Sequence, residues 1–264
     1  MNTQEPAISA KKPSVFEEHD PQVRVRTKKM LMYFIIFAVV MLFAGFTSGY
    51  VLSNTGKYWV HINPPMSFYY SLGALVLSSL TMILAIFFTK KGNQMGSLAM
   101  LGATFALGIA FSVFQLDGWD YLKMIGMGST DYATENGLAT RWNAIDDLQG
   151  SYGMDGDWYV MKDGELIDFQ LGEFYSPNDP LKENPITRQI ITNSNISSSY
   201  LVILIWAHII HLIFGLVYMV VNGIRIVIGK INSKDFVQLQ TNGTYWHFMG
   251  ILWVYLFVFL FIIH

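Results

Sequence analysis

No cysteine occurs anywhere in the 264 residues. That absence excludes disulfides, thiolate metal sites and cysteine nucleophiles, and it leaves the redox compartment unread. Charge is scarce too: Asp, Glu, Lys and Arg make up 14% of the chain against 52% hydrophobic residues, and mean hydropathy is +0.36, well off the soluble average. The scarcity is concentrated. Five runs, at roughly 30–52, 66–89, 95–116, 199–222 and 244–263, contain no Asp, Glu, Lys, Arg or Pro. Each is long enough to cross a bilayer as a helix, which takes about 20 residues. This is the composition of a membrane protein, and no nucleic-acid partner is expected. The first run follows a 29-residue polar tail and lacks a small-x-small cleavage site, so a removable signal peptide is not expected; the tail is expected to be disordered up to about Pro21.

These runs predict an all-α membrane protein, a five-transmembrane-helix bundle with a small extramembrane insert. The divisions are a tail over 1–29, helices 1–3 over 30–116, an insert over 117–198, and helices 4–5 over 199–264. Charge is split sharply between these parts. From Asp117 to Ser197 there are 14 acids against 5 bases, whereas the rest has 5 acids against 12 bases. Lys11, Lys12, Arg24, Arg26, Lys28 and Lys29 precede the first run, Lys90 and Lys91 join the second to the third, and Arg225, Lys230 and Lys234 join the fourth to the fifth. By the positive-inside rule those segments are cytoplasmic, so the 53–65 loop, the acidic insert and His264 face outward.

Within the insert, WYVMKDGELIDF sets Asp163-Gly164 between two short stretches of β-forming residues, a hairpin signal because Gly tolerates the positive φ of a type I′ turn. Asp155-Gly156-Asp157 lacks the ligand spacing of a calcium loop and reads as a solvated turn. Trp142 and Trp158 suffice for a small packed cap. The acidic insert either docks a basic neighbour through long-range steering or is simply solvated.

Polar residues inside a bilayer are costly and therefore informative. On the fourth run His208, His211, Gly215, Tyr218 and Asn222 step by 3, 4, 3 and 4, which places them on one helical face. That face is either a packing seam, with Gly215 admitting a neighbouring helix, or a histidine pair for haem or metal. The fifth run opens on Tyr245, Trp246 and His247, rings with polar edges that suit a membrane interface, and carries Trp253 further in.

Several stretches in order resemble one family. YWHFMGILWVYLF, with Tyr245, Trp246, His247 and Trp253, is similar to the YWHFVDxVW signature of subunit III of the haem-copper (cytochrome c) oxidases. AHIIHLIFG resembles that family's GxHGxHVxxG, and VMLFAGFTSGY, NPP followed by LSSLT, and QLDGW match in turn. The five-span layout is similar to the bacterial form. The resemblance implies a subunit with no cofactor of its own, haem and copper residing in partner subunits. It also implies packing on the catalytic subunit I within a complex that includes subunit II, bound phospholipid, support for proton uptake, and residence in a bacterial cytoplasmic membrane. Lipid or subunit contacts are then expected at His208, His211, Gly215, Tyr218, Asn222, Tyr245, Trp246, His247 and Trp253. The acidic insert could engage a cytochrome c or a respiratory partner complex.

Two departures stand out. Val39 occupies the place of a family Glu, and Gly250 that of the signature's Asp, so no role of those carboxylates carries over. Two rival classes remain: a di-histidine haem cytochrome and a small transporter. The absence of repeats and of proline within the runs disfavours the transporter. For the cytochrome, His211 lies about 14 residues, roughly 20 Å, from the basic end of its helix, and His247 only about 5 Å inside it, too far apart for one iron. His208 and His211 share one helix, three residues apart, and cannot take opposite axial positions. Because a membrane-soluble carbodiimide reacts best with a protonated carboxyl in an apolar site, no adduct is expected between Met30 and Leu52 when the labelled chain is mapped by mass spectrometry. Val39→Glu should create one, and a labelled residue in the unaltered segment would contradict the alignment.

Overall fold

A computed structural model describes residues 21–54, 56–127, 129–134, 137–142, 145, 148–191 and 196–263; the polar tail before Pro21 and His264 lie outside the described residues. Among the described residues five helices are long and apolar enough to cross a membrane: α1 Pro21–Asn54, α2 Met66–Lys90, α3 Gln94–Met124, α5 Ile196–Val227 and α6 Val237–Val258, the last continuing as a π turn over Phe259–Ile263. A short α4 spans Thr187–Ile191. The strands are β1 Trp59–Ile62, β2 Ser129–Thr134, β3 Gly137–Trp142, β4 Trp158–Lys162, β5 Glu165–Leu166, β6 Asp168–Gln170 and β7 Glu173–Tyr175.

The helices outrun the apolar segments that foretell them. Charge ends the third run at Leu116, yet α3 continues through Asp117, Asp120 and Lys123 to Met124. Its polar extension is held laterally: the Ser67 hydroxyl at the start of α2 donates to Asp117, and Gln115 Nε2 donates to Ser71 Oγ at 2.9 Å. α1 likewise begins at Pro21, where the fixed φ of proline suits a first turn.

α2 and α3 form an antiparallel pair joined by a tight turn. Asn93 caps α3, its side chain accepting from the Gly96 N–H at 2.9 Å, one of the orphan donors of a helix start. α6 lies at the centre, packed on α1, α2 and α5, while α5 also meets α1, α3 and β1. The outer faces of the bundle remain apolar, as Phe34, Phe37, Leu80, Val113, Phe214 and Ile251 are exposed. A helix apolar all round belongs in lipid or against another protein.

The Asp163-Gly164 hairpin forms as read from the sequence. Lys162 pairs with Glu165, and the turn residues have φ of 51° and 86°. Two further hairpins, β2–β3 and β6–β7, form separate two-stranded sheets, and the pairing of β4 with β1 extends the first into a three-stranded sheet. In that last pairing Ile62 faces Trp158 and Trp59 faces Met161, so the first interhelical loop supplies one strand and the insert the other. Trp158 is buried with Tyr152 and Phe174 against it; the side chain of Trp142 lies outside the described residues. The lobe is tied down by Ser197 Oγ donating to the Val60 carbonyl at 2.8 Å, Trp59 Nε1 donating to Tyr50 Oη at 2.9 Å, and Asn63 Nδ2 donating to the Met154 carbonyl at 2.8 Å.

Asp157 is the polar centre of that attachment. Its carboxylate accepts from the Tyr121 hydroxyl on α3 and from Ser151 N–H and Oγ at 2.8 and 2.9 Å. The Tyr121 bond, then those of Ser151, hold the Asp157 carboxyl below its ordinary value. A depressed folded value gives stability that is present above the unfolded carboxylate range, near pH 4, and lost as pH falls through the folded value. Asp157→Asn is therefore expected to weaken lobe attachment at neutral pH by about 1 kcal/mol, a figure kept small because the group is solvated. Limited proteolysis of the 148–162 segment should report the loss. The wild type should lose the same protection only below about pH 4.

Candidate functional site

The polar face of α5 and the aromatic opening of α6 meet along most of their length. Tyr218 Oη lies 2.8 Å from Thr241 Oγ1 and 3.2 Å from the Gln238 carbonyl to which it donates. Asn222 Nδ2 donates to the same carbonyl at 3.4 Å, and Arg225 donates to the Gln238 side chain. Further along, Tyr245 Oη donates to the His211 carbonyl at 2.9 Å. Gly215 makes this approach feasible: a Cβ there would stand 3.2 Å from Tyr245 Cε1 and 3.5 Å from Trp246 Cε3.

Trp246 is the point of convergence. Its side chain is 1% exposed, and its Nε1 donates across to Ser78 Oγ on α2 at 3.1 Å. On α3, Gly108 leaves the room the indole needs, since a Cβ would meet Trp246 Cη2 and Leu216 Cδ2 at 2.8 Å. One indole thus joins α6 to three other helices, α2, α3 and α5.

The two histidines share a helical face but not an environment. His208 is fully buried, its ring 5.2 Å from that of Trp253 and 6.0 Å from that of Phe111. Neither of its ring nitrogens has a hydrogen-bond partner among the described residues. Trp253 is likewise fully buried, with Phe68 5.6 Å and Phe111 5.9 Å away. His211 instead faces α1, with Phe43 edge-on at 5.9 Å. Its Nδ1 lies 2.7 Å from the Ala207 carbonyl, and since a carbonyl only accepts, Nδ1 carries the proton.

His211, Tyr218 and Tyr245 also line a cleft of about 620 Å³ between α1 and the α5–α6 pair. Its other walls are Met32, Ile35, Ala38, Val39, Leu42 and Phe214. Among the described residues that line it His211 alone is an acid or base, so the cleft offers apolar contact and a few hydroxyl edges. His247 lies elsewhere, half-buried in a second recess of about 290 Å³ with Lys29, Tyr33, Gln240 and Thr244. Met32 borders both spaces, so a polar mouth adjoins the apolar groove.

Sequence reasoning picked out the α5 face and the α6 rings. It missed Gln238, which binds three α5 side chains from a position before the apolar run begins, and Gln115, whose amide crosses to Ser71 inside the membrane-length part of α3. A polar residue that survives within or at the edge of an apolar run was the available signal.

No family profile matches the chain. Over 51 residues, 19% of its length, it is 37% identical to "Cytochrome c oxidase subunit 3" of Triticum aestivum. It is 33% identical over a stretch of the same length to the proteins of that name from Glycine max and Arabidopsis thaliana. The matched stretch is also 19% of each of those proteins, so the chain spans about one-fifth of the length of the curated relatives it matches. The partial similarity is thus to proteins named for the same family that the motifs resemble.

Removing the Ser78 hydroxyl would strand the indole N–H in a dry interior. Ser78→Ala is expected to cost about 1–2 kcal/mol, read as loss of thermal stability in detergent. In a Trp246→Phe background the same change should cost much less, and equal costs in the two backgrounds would remove this bond from the account.

Proposed function

We propose that the chain is the non-redox subunit III of a proton-pumping cytochrome c oxidase, packed on subunit I and holding a phospholipid between α1 and the α5–α6 pair. The observation that carries the lipid assignment is the continuity of the two recesses. The cleft beside Val39 and His211 is apolar and runs along α1 from Met32 to Leu42, room that suits an acyl chain. The adjoining recess offers the Lys29 ammonium with the polar edges of Gln240, Thr244 and His247, the chemistry of a phosphate headgroup site. Lys29 lies in a basic segment, so this mouth is assigned to the cytoplasmic leaflet and the β lobe to the opposite side. In this reading haem and copper belong to subunits I and II, and the exposed apolar faces of the bundle supply the contact with subunit I.

With Val39 in the cleft, proton uptake is supported indirectly, through helices held in place and a basic surface near His247. Among the described residues, the cleft lining holds no carboxyl to relay a proton.

Purification of the tagged chain from membranes tests both parts. A Soret band and haem-bearing polypeptides are expected with the mild preparation, and none with the chain stripped of its partners. Phospholipid per chain should fall several-fold in Ala38→Phe, which fills the exposed cleft wall, and in Lys29→Gln with His247→Gln. Absence of haem from the mild preparation would remove the oxidase reading, and unchanged phospholipid in the variants would remove the lipid site.

A further inference from the structure

The β6–β7 hairpin turns at Leu171-Gly172, whose φ values of 54° and 85° are those of the two left-handed residues of a type I′ turn. Such a turn favours Asn or Asp before Gly, as at the neighbouring Asp163-Gly164. Here a leucine holds the position, in a region of φ that branched apolar residues seldom adopt. Its side chain is fully exposed. Within the chain, therefore, Leu171 contributes neither turn chemistry nor burial, and an exposed apolar residue in a sparsely populated backbone region is a point from which a functional contact can be argued.

Leu171 is not isolated. Leu181, 77% exposed, precedes Lys182, which has φ of 53° and pairs with Asp168 of β6 at 3.2 Å. That ion pair sets the second leucine's loop beside the hairpin. Charge around the two is one-sided: residues 163–183 hold the acids Asp163, Glu165, Asp168, Glu173, Asp179 and Glu183 and a single base, Lys182, already paired with Asp168.

We propose that Leu171 and Leu181 are the apolar tip of a docking surface whose occupant is the extramembrane part of a neighbouring protein, an apolar socket rimmed by Lys or Arg. The acidic surround selects that partner. A second copy of the chain would bring like charges together, and an anionic bilayer surface would be repelled by the same acids. The acids speed and orient the encounter, and the leucines supply desolvated contact at its centre.

A photoreactive residue tests the contact in native membranes. Leu171→p-benzoylphenylalanine is expected to give an adduct with a Lys- or Arg-rich peptide of another protein. Its yield should fall at least severalfold in about 0.5 M salt, where the Debye length is only a few ångström. Leu171→Asn, which suits the turn, should leave the lobe as stable to heat or more so while lowering retention of the protein identified by the adduct about tenfold. Adducts that are absent, or confined to this chain, a second copy or lipid, would overturn the proposal. So would wild-type retention in Leu171→Asn, or a loss of stability that makes the leucine structural. Haem in the same preparations reads the oxidase assignment separately, since its absence leaves the adduct result intact.

Discussion

Inside a hydrocarbon layer no water is available to complete a polar group, so a donor carried into it is costly unless it finds an acceptor within protein. Trp246 shows how the bundle meets that constraint. The indole is buried only because Ser78 on α2 accepts its N–H hydrogen bond and because Gly108 withholds a Cβ where the ring must lie. Ser78 in turn donates to the Leu75 carbonyl of its own helix at 2.8 Å, so its hydroxyl is used in both directions. Three helices are thereby positioned by one side chain, and the line of α6 is set. The cleft follows from this arrangement. α6 is drawn toward α2, α3 and α5 around the indole, and α1 meets the α5–α6 pair across the opening lined by Val39 and His211.

The same economy operates along the cleft. Tyr245 spends its hydroxyl on the His211 carbonyl, His211 spends Nδ1 on Ala207, and Tyr218 is engaged with Thr241. The two hydroxyls and the His211 Nδ1 are thus committed to helices before any ligand arrives. A carboxylate at position 39 would need a partner here, and among the lining residues only His211, Tyr218 and Tyr245 carry side-chain donors. Val39 needs none, and it is 5% exposed. At Gly250, a Cβ would meet Leu75 atoms at 3.4 Å, ordinary contact, so backbone crowding does not demand glycine at that position.

How much of this the sequence disclosed depended on which physical signal was local. Run length and the absence of charge marked all five helices, because the bilayer imposes that length on any helix that crosses it. The 3-4-3-4 spacing correctly put His208, His211, Gly215, Tyr218 and Asn222 on one face, yet periodicity says nothing about what stands opposite. The face is broad enough for His208 to enter the α3–α6 interior while His211 meets α1. Asp163-Gly164 announced its hairpin because turn chemistry is a matter of two adjacent residues. The pairing of Trp59–Ile62 with Trp158–Lys162 joins segments about a hundred positions apart, and no local signal encodes it.

That long-range pairing changes what the acidic insert is. A chain of solvated acids on a loose loop would present its charge in every direction, averaged by motion. Here β4 is hydrogen-bonded to β1, and β1 is fixed to α1 through Trp59 and Tyr50 and to α5 through Ser197 and Val60. Burial pushes the Tyr152 hydroxyl up to about 12, so it remains a donor; it gives its proton to the Ile167 carbonyl at 2.5 Å and accepts from the Val160 N–H at 3.3 Å. β4 is thereby joined to the residue that links β5 and β6. The acids of the β4–β7 region are consequently carried on a framework referenced to the membrane helices. A fixed charge pattern can orient an approaching surface as well as attract it, which a flexible acidic loop of the same composition could not do.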